Sequence, residues 1–387
     1  MAADILAPPP EPSHPQILIS ADFEPARAAD GEFVVEEGTT ALTAPPGRPP
    51  PTAPPPNPGK LSRRRRRQGA IYAVVTLVIL GAFVVARTRH QAPRSSQTAP
   101  SGLVTRLSMP VGDAPGAVAI GAGACWIANY GDGTVTRIDL QRGSAVGRPI
   151  VVGEGPIDIS ASAGAAWVAN RLSGSLIRID ARSGLVSRPI QVGSTPIATA
   201  VGASRIWILD ADGTVRRIDP RTMRLDGDPW TVRGHPSSIA VGGGSVWITD
   251  YWANTLKRFH PRTGRIHETI SVGRQPRVVE VSDSLVWVAN FDDRTVLRID
   301  SRNGERQQDR IAVQGHPVAL AASSSGVWVS STERPDRTGD GVVQHIGIQR
   351  GARAVQPTVL PSAFGVGVDG SRLWVSDWQN DVVRQLE

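Results

Sequence analysis

The sequence predicts an all-β chain wound into a seven-bladed β-propeller of four-stranded blades. An N-terminal strand is expected to complete the last blade, and one transmembrane helix and a disordered tail to precede the ring. Three observations predict the propeller. Tryptophan recurs at Trp126, Trp167, Trp207, Trp247, Trp287, Trp328 and Trp374, at spacings of 41, 40, 40, 40, 41 and 46 residues. A proline stands eleven residues before each of the first six, at Pro115, Pro156, Pro196, Pro236, Pro276 and Pro317, and thirteen before the seventh, at Pro361. Between these markers run short alternating strands and glycine turns, and a period near forty residues is the mark of a repeat architecture.

Each repeat parses into four strands, A to D. In the second, strand A covers residues 155–161, strand B 165–169, strand C 175–180 and strand D 187–192. Asp132-Gly133 and Asp212-Gly213 supply the positive φ needed between strands B and C. Arg142-Gly143, Ser183-Gly184, Thr263-Gly264 and Asn303-Gly304 do the same between C and D. Such a unit cannot bury both its faces alone, so seven of them pack around an axis. The last repeat stops after its strand C, at residues 381–386, whereas residues 104–112 carry the strand D pattern seen at 186–193. The N-terminal strand is therefore expected to fill the gap and cover an open strand edge.

What precedes the repeats reads differently. Residues 1–62 form a Pro-rich tail with fifteen prolines before residue 61 and eight acidic residues before Ala41, a composition that does not fold alone. Five consecutive arginines, Arg63 to Arg67, open a basic flank at 63–69. The uncharged apolar run 70–86 follows; as a helix its seventeen residues span about 26 Å, near the lower limit for crossing a bilayer. The excess of arginine on its N-terminal side predicts a cytoplasmic tail and an extracytoplasmic propeller, joined by a linker at 87–102. The expected location is thus the cell membrane, single-pass. Residues 1–94 carry 11 Lys+Arg against 8 Asp+Glu, which leaves 31 against 27 of the totals of 42 and 35. No strongly basic domain remains, and nucleic acid is not an expected partner. Cys125 is the only cysteine, so intrachain disulfides and cysteine metal clusters are excluded, and it reads as a small buried hydrophobe.

The repeat consensus, P-x-x-I-A-V-G, then V-W-V-A-N, T-V-x-R-I-D and I-x-V-G, resembles the YVTN/YncE-type and streptogramin-lyase-like seven-bladed propellers of bacteria, over residues 103–387. Anchor plus propeller is also similar to the outer sensor half of bacterial receptor Ser/Thr kinases, although no kinase motif precedes the anchor. The lyase resemblance implies paired histidines, a glutamate and Mg²⁺, opening a lactone by elimination. This chain departs from it. Family blades often read W-F-T-E after the tryptophan, whereas here the copies are Trp126-Ile-Ala-Asn, Trp167-Val-Ala-Asn, Trp247-Ile-Thr-Asp and Trp287-Val-Ala-Asn. The family's Pro-His-Gly-Ile is replaced by Gly234-His235-Pro236 and Gly315-His316-Pro317, so no catalytic residue is carried over.

Antiparallel winding places the D-to-A and B-to-C connections on one face of the ring, and that face varies most. Its B-to-C loops carry Tyr130, Tyr251, Trp252, Phe291, Asp292, Asp293, Arg294 and Trp378, the composition of a contact surface for a protein, glycan or small molecule. An alternative is that the rings only cover blade edges. Blade six carries an insertion at 331–340, whose Asp336 and Asp340 match no known calcium loop. His235 and His316 share one position two blades apart, and Glu280 stands on strand A where the other full repeats have Ala119, Ser160, Ala200, Ala240 and Ala321. Asp158 is a second carboxylate on strand A. The aspartates of the Arg-Ile-Asp triplets, Asp139, Asp180, Asp219 and Asp300, precede turns whose backbone they can bond. The expected function is a membrane-anchored binding module, without metal or cofactor. The alternative is a lyase of the virginiamycin B lyase type, acting in the channel through His235, His316 and Glu280 with Mg²⁺.

Overall fold

The computed structural model describes residues 103–387, apart from residues 163, 283, 308–309, 335–338 and 350. The expected tail, basic flank, membrane span and linker, at 1–62, 63–69, 70–86 and 87–102, lie outside the described residues. Among the described residues no helix is long and apolar enough to cross a membrane.

Seven antiparallel sheets make the propeller. Their strands A are Pro115–Gly121, Pro156–Ser162, Pro196–Gly202, Pro236–Gly242, Pro276–Ser282, His316–Ser323 and Ala363–Asp369. These innermost strands pack on one another in sequence, and the seventh packs on the first. In two blades strand D is split into two short pieces, as at Arg224–Leu225 and Trp230–Thr231 of blade three, which makes those sheets five-stranded. Thr105–Pro110 pairs antiparallel with Val382–Leu386, from Thr105 opposite Leu386 to Pro110 opposite Val382, as the outer strand of the seventh sheet.

Two details differ from the expectations. The seventh blade keeps the eleven-residue spacing, but with Ala363, which pairs with Asp377 as Pro276 pairs with Asn290. Pro361 instead ends strand D of blade six, Thr358–Pro361. Strand D of blade two shrinks to Ile190–Gln191, because the preceding Pro189 has no N–H to give to a ladder.

The repeat letters each have a physical task. Six of the seven repeat tryptophans are almost fully buried, and only Trp328 is half-buried. The strand C arginine lies over the ring: Arg137 is 5.3 Å from the Trp126 centroid, Arg258 5.1 Å from Trp247 and Arg298 5.8 Å from Trp287. The same arginine ties its blade to the next. Nη1 of Arg217 donates to Arg262 O at 3.3 Å, that of Arg258 to Arg302 O at 3.1 Å and that of Arg298 to Gln349 O at 3.1 Å.

The Asn or Asp that ends strand B is buried in blades one to five and seven. It binds the connections on either side of it. Asn290 Oδ1 accepts the Gly273 N–H at 2.9 Å, and Asp250 accepts those of His235 and Ala253, each at 3.2 Å. This explains the glycine of I-x-V-G, where a Cβ would lie 1.8 Å from Asp210 Oδ2 at Gly193 and 2.4 Å from the Asn290 carboxamide at Gly273. The Arg-Ile-Asp aspartates bond turn backbone as expected: Asp139 Oδ1 accepts from the N–H groups of Gln141 at 2.8 Å and Arg142 at 2.9 Å. Cys125 is fully buried, and burial pushes its thiol pKa up.

Candidate functional site

The expected contact residues lie on the B-to-C loops, but the fold sorts them by burial. Tyr251 and Phe291 are buried, Tyr130 and Trp378 are half-buried, and Trp252 is 42% exposed. Tyr251 donates its hydroxyl to Gln275 Oε1 at 2.8 Å and meets Trp252 edge-on at 5.0 Å between centroids. Trp378 stacks on Phe364 of the innermost strand of blade seven at 5.9 Å. Two rings are thus supports of the loops, and Trp252 is the one most open to a partner.

Blades four to six form a continuous line of contacts on this face. From Trp252 and Tyr251 it passes to Gln275, beside which Arg274 meets blade five's own loop. Arg274 Nε lies 2.7 Å from Asp293 Oδ1 and its Nη1 3.4 Å from Asp292 Oδ2, while Arg310 Nη1 reaches Asp293 Oδ2 at 2.8 Å. Burial acts to raise the Asp293 carboxyl, but the bonds from Arg274 and the charge of Arg310 together hold it below the usual carboxylate range.

The next residue, Arg294, stands at the end of the B-to-C loop in a left-handed conformation, with φ 54°. The same place is held by Gly133, Gly174, Gly213, Asn254, Gly339 and Asp381 in the other blades, all with positive φ. Glycine has no steric penalty there, and Asn and Asp tolerate it. Arginine does not. Asn254 and Asp381 use their side chains to take a backbone N–H of the next blade, Gln275 at 2.9 Å and Ala114 at 3.0 Å. Arg294 reaches the next blade through His316, with Nη2 3.1 Å from Nε2.

That contact settles the tautomer of His316. A guanidinium only donates, so Nε2 accepts; Nδ1, 2.9 Å from Phe291 O, therefore carries the proton and donates it. The ring is buried and packs on Phe291 at 4.8 Å, and Phe291 also carries the buried Arg277 guanidinium at 5.4 Å. Burial, and then the charge of Arg294, hold the His316 pKa below its ordinary value, against the Phe291 carbonyl bond and Asp292.

His235 and Glu280, the other two residues of the lyase alternative, sit in different surroundings. The His235 ring is exposed, and its backbone N–H is spent on Asp250. Glu280 is 6% exposed on strand A of blade five, and burial raises its carboxyl to about 7. Asp158 is fully buried and accepts the Thr199 N–H of the next innermost strand at 2.7 Å, which occupies a backbone group at a strand edge. Ser160 and Ser237 do related work, donating to Thr199 O at 2.8 Å and Pro276 O at 2.7 Å. Among the described residues no three His, Cys, Asp or Glu side chains gather as they would around a metal ion. Mg²⁺ takes oxygen ligands, and with both ring nitrogens of His316 engaged the donor set does not fit the ion that the lyase resemblance implies. Asp336, of the suggested calcium pair, lies outside the described residues.

Sequence reasoning missed two features. Arg277 aligns with Gly116, Ile157, Ile197 and Ser237, so a charge in a small or apolar column was its available signal. The left-handed column that makes Arg294 exceptional was visible as Gly, Gly, Gly, Asn, Arg once the loops were aligned.

No family model and no curated protein matches the chain. Solved structures do. The virginiamycin B lyase from Staphylococcus aureus is similar at TM-score 0.61 with 16% identity, covering 72% of this chain and 98% of its own. A streptogramin B lyase gives 0.60 with 15% identity, over 74% and 96%. A chain of the Mitotic Checkpoint Complex gives 0.62 with 10% identity, over 77% and 97%. The fold is that of the streptogramin B lyase-like seven-bladed propellers. At such identities the likeness concerns the fold alone, which hosts a lyase and non-enzymatic assemblies alike.

Proposed function

We propose that the protein is a membrane-anchored binding module whose propeller takes up a ligand or protein outside the membrane, on the face formed by the D-to-A and B-to-C connections of blades four to six. One observation carries this reading. Arg294 is an exposed arginine held in a left-handed backbone conformation that its counterparts fill with Gly, Asn or Asp. Such strain costs about 1–2 kcal/mol and persists where a side chain is needed in one place. His316 braces the guanidinium, which has further N–H groups to offer outward. Trp252, at 42% exposure, supplies an apolar contact on the neighbouring loop.

The anchoring half of the reading is supported by the uncharged run 70–86 and the five arginines before it. In the same reading Thr105–Pro110 serves as the clasp that holds the ring closed. The deciding experiment compares full-length protein in membrane vesicles with its Arg294→Asn and Trp252→Ala variants, in cross-linking pull-downs from envelope extract. Loss of the same specific partner in both variants, with retention in Arg224→Ala on strand D, is expected. Identical capture by all forms would rule this face out.

A second reading, a lyase in the channel, is favoured by the buried Glu280 carboxyl raised to about 7, in the range where a group can both give and take a proton. Turnover of a cyclic depsipeptide by the wild type, abolished in Glu280→Gln, would place it first.

A further inference from the structure

Blade three breaks the repeat on the opposite face, the one formed by the A-to-B and C-to-D connections. In blades one, four and five the strand C arginine covers the strand B tryptophan. In blade three a second tryptophan, Trp230 on strand D, comes between them. Its ring lies 5.1 Å from that of Trp207 at 53°, and Arg217 lies over Trp230 at 5.1 Å. Gly227, with φ 74°, makes room for this arginine, since a Cβ there would lie 2.6 Å from Arg217 Nη2.

Beside this stack is a cavity of about 240 Å³ lined by Ala203, Arg205, Arg217, Asp226, Pro261 and Arg262, with the fully buried Trp207 behind them. Its charge is unbalanced. Asp226 faces three guanidinium groups and is already bound to one, Arg205, at 2.5 Å from Nε. Asp219, close enough to act on Arg205, spends its carboxylate on the turn N–H groups of Arg221 at 2.8 Å and Thr222 at 3.3 Å. Among the described residues Arg217 has no carboxylate partner, and its Nη1 donates to a carbonyl, Arg262 O. The exposed Arg262 guanidinium has no ion pair among the described residues. Two arginines without a carboxylate thus meet at a site that also offers a proline ring and the Ala203 methyl group.

We propose that this cavity between blades three and four binds a small organic carboxylate with a flat apolar body. The carboxylate lies between Arg217 and Arg262, where guanidinium N–H groups match its two oxygens. The body lies against Pro261 and Ala203. A volume of 240 Å³ is about eight times the share of one water molecule, which suits an acid of benzoate size. Asp226 acts as an internal competitor, holding Arg205 away from the ligand and repelling its charge.

The test is titration calorimetry on the full-length protein at low ionic strength, with benzoate, its neutral isostere benzamide, and inorganic phosphate. Saturable benzoate binding is expected, with benzamide weaker by about tenfold or more, because a charge-assisted contact is lost. Arg262→Gln, a change at an exposed side chain, should weaken benzoate by about tenfold, and Asp226→Asn should tighten it about threefold or more. Melting curves matching the wild type keep these variants interpretable. Absence of benzoate binding, equal affinity for benzamide, or an unchanged constant in Arg262→Gln would overturn the proposal. Phosphate binding as tightly as benzoate would overturn the apolar half of the site.

Discussion

Arg294 and Glu280 are single residues that depart from their columns, and each makes a prediction at its own scale. Asn254 shows that asparagine fits the left-handed position, so Arg294→Asn should leave the melting temperature within about 3 °C of wild type, a change of about 1 kcal/mol or less. A larger fall would mean that the Arg294–His316 contact is chiefly a blade tie. Glu280 is raised by burial from 4.5 to about 7. Its folded form keeps the proton longer than the unfolded chain does, so its contribution is complete below pH 4.5 and is lost as the pH rises through 7. Glu280→Gln should therefore raise the melting temperature at pH 8, by up to the order of 3 kcal/mol in stability, and change it little at pH 4. The histidines act in the opposite sense. Burial lowers both His316 and His345, the latter packed on Trp328 from strand C of blade six, so the unfolded chain binds their protons first and stability falls as the pH drops below about 6.5. His316→Gln and His345→Gln together should flatten the acid side of the stability curve.

At the scale of the blade, the conserved-looking letters of one repeat are contacts between elements. Strand B ends in a buried Asn or Asp that needs the carboxyl end of the preceding strand D to carry a glycine. Gly193→Ala would place Cβ 1.8 Å from Asp210 Oδ2 at φ 153°, so backbone strain adds to a clash with a buried carboxylate. Gly147→Ala, at φ 71° with nothing within 4 Å, meets strain alone. The first should destabilise by about 3 kcal/mol or more and the second by about 1, in denaturant titrations. Equal losses would show that φ, and not the packing of strand B against that glycine, fixes the glycine of I-x-V-G.

For the whole molecule the seam between the seventh and first blades is the weak place of a ring. Several contacts cross it besides the pairing of Thr105–Pro110 with Val382–Leu386. Ser376 donates its hydroxyl to Gly116 O at 2.7 Å, Asp381 accepts the Ala114 N–H at 3.0 Å, and Arg372 reaches Leu140 O. If strand Thr105–Pro110 is the clasp, removing residues 103–110 should lower the melting temperature by at least about 5 °C and broaden the transition, since a repeat fold then opens from one end. An unchanged, equally sharp transition would leave the clasp without a role. The remaining seam contacts would then suffice.

The period, the blade number and the four-strand parse were legible in the residues, because every blade meets the same neighbours and so must repeat the same letters. The tryptophan recurs in seven blades, the buried strand B Asn or Asp in six and the Arg-Ile-Asp aspartate in four, each for a local contact that recurs with it. Residue burial on the loops was not legible: Tyr251 and Phe291 look like Trp252 in the sequence, but only Trp252 is left open once the neighbouring blade is in place. His235 and His316 share a sequence position and differ because blade five presents Arg294 and the Phe291 carbonyl to one of them. The cavity lined by Arg217 and Arg262 lies on the face opposite the varied loops, and it exists because side chains from blades three and four meet there. Repetition writes the scaffold into the sequence, whereas the exceptions acquire their chemistry only from the neighbour that folding brings to them.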